Sequence, residues 1–411
     1  MSLVAKRMTP FCPLGLPALR SFAMRILCAI VVGIWGQLAL AEMPQAPEVA
    51  ARAYLLLDVT ASQVLAAKQA DLPVEPASLT KLMTAYLVFD AIKSGKISLK
   101  QALPVSERAS AMPGSRMFIE PNMQVPVEDL VKGMVVQSGN DATMALAEAV
   151  GGSAERFVGL MNAQAKALGM QHTTYKNPEG MGAPGQLTTA RDLGLLATRL
   201  LADFPEYVGY SAIKKYHYPG TPAANDSNRN LLLFRDPTVD GLKTGRTDAA
   251  GYCMIATAKR DFPTLGAPGA PGSARRLLAI VLGADSENAR ANESQKLLNW
   301  GFSATEPVKL FEGGAAVVSP VVWKGSASTV ALGRVQPIIV AVPAGAATHI
   351  KTTVVRQDPL MAPIAAGQVA ATLRVAVEGQ PLVDVPLQAL EGVSQAGVLR
   401  RAWDSLRLWI R

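Results

Sequence analysis

The stretch PASLTKLMTAYLVFD, Pro76–Asp90, decides how the rest of the chain is understood. From Leu79 to Phe89 nearly every side chain is Leu, Met, Ala, Tyr, Val or Phe. A helix that is apolar all round belongs inside a domain, not on its surface. Yet it carries one lysine, Lys81, three positions after Ser78. A lysine there loses its hydration, which is costly unless it is paired or neutral. One reading lets Lys81 snorkel outward from the first turn. The other keeps it inside beside Ser78, since i and i+3 share a helix face.

On either side of this helix the texture is that of a mixed domain. AYLLLDVTASQVLAAKQ, starting at Ala53, predicts two strands around a turn at Thr60–Ser62. Helical periodicity follows from 78 to 94 and in VEDLVKGMVV, DATMALAEAV, AERFVGLMNAQAKALG and TARDLGLLATRLL. Strand-like runs return at TVDGLKTG, YCMIATAK and RLLAIVLGA, and the helix ENARANESQKLLNWGF closes the region. Strands at both ends with helices between them predict one antiparallel sheet flanked by helices, over residues 48–305. RDFPTLGAPGAPGSAR, rich in Gly and Pro between two strands, predicts a hairpin loop. From Glu306 to residue 392 the pattern is all-β: VAATLRVAVEG puts Val369, Ala371, Leu373, Val375 and Val377 on one face. Residues 394–411 end in AGVLRRAWDSLRLWIR, with Leu399, Ala402, Trp403, Leu406, Trp409 and Ile410 on one helical face and arginines elsewhere. Such a cationic, tryptophan-bearing helix suits a membrane surface. Docking on its own domain is the other reading.

The 411 residues allow two domains after processing. At 49% hydrophobic and 18% charged the chain is globular, and its net charge of +8 is modest. No Lys/Arg block interleaved with aromatics points to nucleic acid. A carboxylate-rich partner or an anionic membrane surface fits better. Arg20 and Arg25 precede ILCAIVVGIWGQLALA, and Ala39-Leu40-Ala41 is a small-x-small cleavage site, so residues 1–41 are expected to be an export signal, with Met24 a possible start. The run is shorter than the roughly 20 residues of a spanning helix. A retained anchor is the alternative; lipid on Cys28 is disfavoured because it precedes the apolar run. Cleavage leaves only Cys253, in the strand-like GYCMIATA, where a buried inert thiol is expected.

A serine nucleophile needs a base. The three histidines, His172, His217 and His349, sit in no triad-like context. A lysine can serve if burial lowers its pKa toward neutrality. Ser78 and Lys81 offer that pair, but S-x-x-K alone is weak, and a second copy, Ser211 to Lys214, is taken as chance. Two further elements add weight. QSGND places Ser138-Gly139-Asn140 between two helices, and DGLKTGRTDAAGY places Lys243-Thr244-Gly245 on a strand. S-x-x-K, S-x-N and K-T-G together are the signature of penicillin-binding proteins and class A β-lactamases.

The chain therefore resembles the low-molecular-mass penicillin-binding proteins that are D-alanyl-D-alanine carboxypeptidases, of the type-5/6 branch. EPASLTKLMTAY, QSGNDA, FVGLMNAQAKALGM, VDGLKTGRTDAAGY and KLLNWGF carry the likeness, and the order of catalytic domain, β domain and terminal helix agrees. The β domain resembles the family more in pattern than in wording. The resemblance implies a penicillin-binding/β-lactamase-like fold and no cofactor. It implies that Ser78 is acylated by the penultimate D-Ala of a peptidoglycan pentapeptide and that Lys81 takes its proton. Ser138 and Asn140 would relay a proton and hold the substrate amide, while Lys243 and Thr244, in the K-T-G that ends at Gly245, bind the terminal carboxylate. The backbone amides of Ser78 and Arg246 would form the oxyanion hole. Related proteins often have His where Arg246 stands, which touches substrate preference but not the amide. Glu179, in NPEGM, does not match the deacylating E-x-x-x-N of class A β-lactamases. β-Lactams are the implied inhibitors, and the periplasmic face of the inner membrane the implied location. A DD-endopeptidase or β-lactamase on the same site, or a silent cell-wall binding protein, are the rival functions. The β domain and terminal helix argue against a free β-lactamase, and the intact trio against a silent site.

Overall fold

Residues 44–266 and 272–410 are described by the computed structural model. The expected export signal and the middle of the Gly/Pro-rich hairpin segment lie outside the described residues. Strand β1 (Ala53–Asp58) turns into β2 (Gln63–Lys68), and the Asp58 carboxylate closes the turn by accepting from the Ala61 amide at 2.9 Å. Later strands β3 (Val239–Thr247), β4 (Gly251–Asp261) and β5 (Ala274–Ala284) complete a five-stranded antiparallel sheet in the order β2-β1-β5-β4-β3. Along β5, Leu277, Ala279 and Val281 belong to the core on one face, and Leu278, Ile280 and Leu282 to the core on the other. Both faces are covered, so the strand is apolar throughout rather than alternating.

One face of the sheet carries the helices α1 (Lys81–Lys93), α2 (Val127–Lys132), α3 (Asn140–Gly151), α4 (Ala154–Ala167) and α5 (Ala190–Asp203); α6 (Glu287–Ala304) packs on the other. Ser153, Thr189 and Ser286 cap α4, α5 and α6, each hydroxyl accepting the amide three residues on. The central α1 is buried almost all round, with Met83 and Val88 fully enclosed. That is the outcome its composition demands. A short hairpin, Ala102–Pro104 with Gln124–Pro126, and a 3-10 segment, Pro205–Ala212, also form. Neither was expected from the sequence.

From Thr305 the chain is β structure. Strand β6 (Thr305–Phe311) pairs with β7 (Ile338–Pro343), and β8 (Ile350–Val355), β9 (Val369–Val377) and β10 (Gln380–Ala389) form an antiparallel meander widened by two short strands. On β9, Ala371, Leu373, Val375 and Val377 are buried as the alternation requires, while Val369 at its start is exposed. Contacts among the described residues tie this domain to the first, including the Thr264 hydroxyl donating to the Pro307 carbonyl at 2.7 Å. The Gln63 amide exchanges two hydrogen bonds with the Ala341 backbone, both 3.1 Å. Arg275, fully buried, bonds the Asp58 carboxylate at 2.7 Å, the Thr305 carbonyl at 2.7 Å and the Thr305 hydroxyl at 2.7 Å. The chain ends in helix α7 (Val398–Ile410).

Candidate active site

Ser78 sits on a 3-10 turn, Ala77–Thr80, that leads directly into α1. The turn is wedged between two backbones. A Cβ on Gly245 of β3 would stand 3.1 Å from the Ser78 amide nitrogen, so the open edge of the sheet runs hard against the turn. On the other side, a Cβ on Gly180 would overlap the Ala77 carbonyl oxygen, and Gly180 has φ +88°. Only glycine allows that approach.

Lys81 is 1% exposed. Its Nζ donates to Ser78 Oγ at 3.0 Å, to Asn140 Oδ1 at 2.7 Å and to the Glu179 carbonyl at 2.6 Å. The snorkelling alternative is thereby excluded. Leu82, Ala85, Phe89, Met134 and Leu242 line a small space behind the ammonium and keep it dry. Burial pulls the Lys81 pKa down to about 7, opposed by the charge of Glu179 and helped by that of Arg229.

Ser138 lies between a π-helical turn, Gly133–Gln137, and the start of α3. Its φ is +59°, and its buried hydroxyl oxygen has no hydrogen-bond partner among the described residues. Asn140 donates to the Pro113 carbonyl at 2.7 Å while accepting from Lys81. The next residue, Asp141, is fully buried and accepts from the amides of Met117 at 2.9 Å and Phe118 at 2.7 Å. It therefore pins the loop carrying Ser115 to the helix carrying Asn140.

Lys243 and Thr244 lie on β3, each 5% exposed. Lys243 Nζ donates to the Thr244 carbonyl at 2.9 Å. Its pKa is pushed well down, by burial first and then by the charges of Lys81, Arg229 and Arg290. A cleft of about 270 Å³ opens in front of Ser78, Ser138 and Thr244, with Arg229, Arg246 and Arg290 along its far wall. Arg290, on α6, is 3% exposed and holds Glu287 at 2.6 Å; the guanidinium groups of Arg246 and Arg290 both lie over the Tyr252 ring. Arg246 also reaches Asp248 at 3.0 Å.

Five of the eight expected residues, Ser78, Ser138, Thr244, Gly245 and Arg246, line this cleft; Lys81 and Lys243 line the small space described above, and Asn140 is joined to the group through Lys81. Arg229 and Arg290 were not foreseen, because one sits in a loop and the other on a polar helix, neither within a pattern. Glu179 was set aside for want of a motif. It is 4% exposed, one carboxyl oxygen has no hydrogen-bond partner among the described residues, and burial pushes its pKa up, against the pull of Lys81. The duplicate motif is structural: Ser211 Oγ donates to the carbonyls of Val208 at 2.6 Å and Asp240 at 2.8 Å, and Lys214 points to the Phe234 ring. His217 pairs with Asp226 and His349 with Glu378, away from the cleft lining. Cys253 is buried, and burial raises its thiol pKa.

A family model described as D-alanyl-D-alanine carboxypeptidase matches residues 40–267, and one described as penicillin-binding protein 5, C-terminal domain, matches residues 306–395. D-alanyl-D-alanine carboxypeptidase DacC of Escherichia coli (strain K12) is 40% identical over 368 residues, 88% of each chain. The crystal structure of penicillin binding protein 5 from Haemophilus influenzae superposes with a TM-score of 0.77 at 33% identity, covering 85% of this chain and 99% of that one. Penicillin-binding protein D2 from Listeria monocytogenes, in its ampicillin-bound form, gives a TM-score of 0.54 at 30% identity, covering 63% of this chain and 99% of that one. With family models matched to residues 40–267 and 306–395 and a 40% identical relative covering 88% of the chain, the chain belongs to the D-alanyl-D-alanine carboxypeptidase family.

Proposed function

We propose that the chain is a serine-type D-alanyl-D-alanine carboxypeptidase that removes the terminal D-Ala from peptidoglycan pentapeptides through an acyl-enzyme on Ser78. The observation that carries this is the 3.0 Å contact between Lys81 Nζ and Ser78 Oγ in a dry pocket. Neutral Lys81 takes the Ser78 proton as Oγ bonds to the penultimate D-Ala carbonyl carbon. The oxyanion is held by the amides of Ser78 and Arg246, on the two backbones that Gly245 brings together. As the intermediate collapses, the C–N bond breaks. The proton passes by way of the Ser138 hydroxyl to the leaving D-Ala nitrogen. Water then attacks the ester, gives its proton back along the same path and frees Ser78.

Asn140 holds both Lys81 and the substrate amide. Lys243 and Thr244 take the terminal carboxylate. Arg229 and Arg290 add to the same end: after burial itself, the charges of Lys81 and these two arginines depress the pKa of Lys243, so an arriving anion relieves the repulsion among them. β-Lactams acylate the same serine, but the leaving nitrogen stays tethered to the acyl group.

The mature protein is proposed to begin after the 1–41 signal, with catalytic, β and helical segments at 48–305, 306–392 and 394–411, and to work at the periplasmic face of the inner membrane. Among the described residues no helix is long and apolar enough to cross a membrane. Helix α7 instead presents Leu399, Trp403 and Trp409 outward, at 89, 61 and 85% exposure, as a helix lying in an anionic lipid surface does. Mass spectrometry after exposure to a labelled penicillin, together with D-Ala release from a pentapeptide, tests the catalytic assignment. A label on any residue but Ser78 overturns it.

A further inference from the structure

Helix α7 packs on its own β domain through its polar side. Asp404, midway along it, is 8% exposed, and its carboxylate accepts from the Lys324 amide at 2.7 Å. Arg401, Asp404 and Leu408, spaced i, i+3, i+7, form the least exposed seam. Beside it the Arg407 guanidinium lies 5.5 Å from the Trp323 ring centre, and Arg400 donates to the Ser326 carbonyl at 3.3 Å. The segment entering the helix grips the same residue, since the Ala396 amide donates to the Lys324 carbonyl at 2.8 Å. Both backbone groups of Lys324 are thus taken by the C-terminal segment. A helix of 13 residues is marginal in water on its own, so this seam is what keeps α7 formed. The opposite face, from Val398 and Leu399 through Trp403 and Leu406 to Trp409 and Ile410, is left without cover by the described residues.

We propose that α7 keeps its polar seam on the β domain while its apolar face enters a phospholipid surface, so that the β domain stands on the bilayer in one orientation with Asp404 as the clamp. This rests on the membrane reading given above and adds a geometry to it. Lipid is the occupant because the apolar face carries two tryptophans and is flanked by exposed Arg400 and Arg407, the pattern of an in-plane helix. A free tether would instead fold only on contact with lipid and let the domain swing. The Gln63–Ala341 and Arg275–Thr305 contacts extend the fixed geometry to the catalytic cleft.

The test uses residues 42–411 with Lys166→Cys on the exposed surface of α4. Cys253 is the only other cysteine in that span and is buried, so one donor fluorophore attaches. Acceptors are placed on the headgroups of phosphatidylglycerol–phosphatidylethanolamine vesicles. With Asp404 intact we expect one narrow donor–bilayer distance, and α7 amides protected from hydrogen exchange before lipid is added. In Asp404→Ala, α7 should exchange at least about ten-fold faster, and the distance should spread. Vesicle sedimentation should stay within about three-fold, since the apolar face is untouched. Retained penicillin labelling of Ser78 shows that the variant is folded, and Arg407→Ala provides a second, milder release of the seam. Equal protection and an equally narrow distance in Asp404→Ala, or a broad distance in the parent, would overturn the clamp while leaving the membrane reading intact. A parent that ignores the vesicles, or that dimerises through α7, would overturn both.

Discussion

Lys81 Nζ stands 3.0 Å from Ser78 Oγ while 1% exposed, one ammonium shared among a hydroxyl, an amide oxygen and a backbone carbonyl. Nothing in that shell is a carboxylate bonded to it. The group is held in place without being locked into its charged form, which is what a lysine base requires.

Ser78→Ala should therefore abolish both penicillin labelling and D-Ala release, a loss of at least about 10³-fold. Ser211→Ala should do neither, since its hydroxyl serves two backbone carbonyls. Lys81→Arg should fail like Ser78→Ala, because a guanidinium does not deprotonate. Intact mass after exposure to a labelled penicillin checks all three. An arginine variant that kept most of the acylation rate would remove Lys81 from the role of base.

The acylation rate should rise with pH through about 7, as Lys81 loses its proton. Lowering the pH below that value protonates the base and slows the attack. Glu179 raises the Lys81 pKa by its charge, so Glu179→Gln should move this rising limb to lower pH. The groups facing Lys81 that stay in place are Arg229, Asp141 and Lys243. Stopped-flow acylation by a chromogenic cephalosporin across pH 5–9 is the measurement (a pH range on the order of two units either side of the Lys81 value). A limb that does not move would mean that Glu179 carries no charge when Lys81 titrates.

What was legible in the sequence is what is locally patterned. Ser78 and Lys81 are one turn apart, Ser138 and Asn140 flank one glycine, and Lys243 to Arg246 lie in one strand, so each group is visible in a few consecutive letters. Arg229 and Arg290 reach the cleft only because α6 and the loop before β3 are brought to the same wall by the sheet. Three-residue strands such as Ala102–Pro104 are too short to show an alternation. For α7 the helical wheel separated the two faces but not which would pack. The usual rule, apolar side inward, is reversed by one carboxylate meeting a backbone amide across 80 residues.

Asp141 lies next to the site and is expected to matter through the loop it holds. Asp141→Ala leaves the buried amide of Met117 and the half-buried amide of Phe118 without this acceptor. Unsatisfied groups of this kind cost about 1–3 kcal/mol each, so for the two amides we expect a loss of about 2–6 kcal/mol, read as a lower Tm, with weakened labelling of Ser78. Unchanged stability would show that the loop finds other acceptors. An unchanged label with lower stability would separate the loop from the chemistry.

Removal of residues 398–411 should release the signal-cleaved protein from phosphatidylglycerol vesicles and leave turnover of a soluble pentapeptide nearly unchanged. The cut is placed after Ala396, whose amide is bonded to Lys324, so that the β domain keeps its edge. Binding by the full chain should weaken in salt, as far as Arg400 and Arg407 contribute to it. Co-sedimentation with and without 0.5 M NaCl (about a 4 Å screening length) reads both effects. Undiminished binding of the truncated protein would assign the membrane contact to another surface.

Recognition of a free terminal carboxylate separates a carboxypeptidase from an endopeptidase. Lys243 is buried among Lys81, Arg229 and Arg290, and its ammonium is disfavoured until an anion arrives. Losing one member of a charge pair in such a cleft costs roughly 2–5 kcal/mol. At about 1.4 kcal/mol per decade this is about one and a half to nearly four orders of magnitude in kcat/KM. Lys243→Ala and amidation of the substrate's terminal carboxylate should each cause a loss in this range. Combined, they should cost much less than the sum, because both delete the same interaction. Some additivity should remain, since Lys243 also bears on Lys81 through its charge. The same cycle with Arg290→Ala should show a smaller coupling, as that guanidinium is already paired with Glu287 at 2.6 Å. Full additivity for Lys243 with strong coupling for Arg290 would transfer the carboxylate to the arginine wall. Full additivity for both would mean that no free carboxylate is read, and the site would then belong to an endopeptidase.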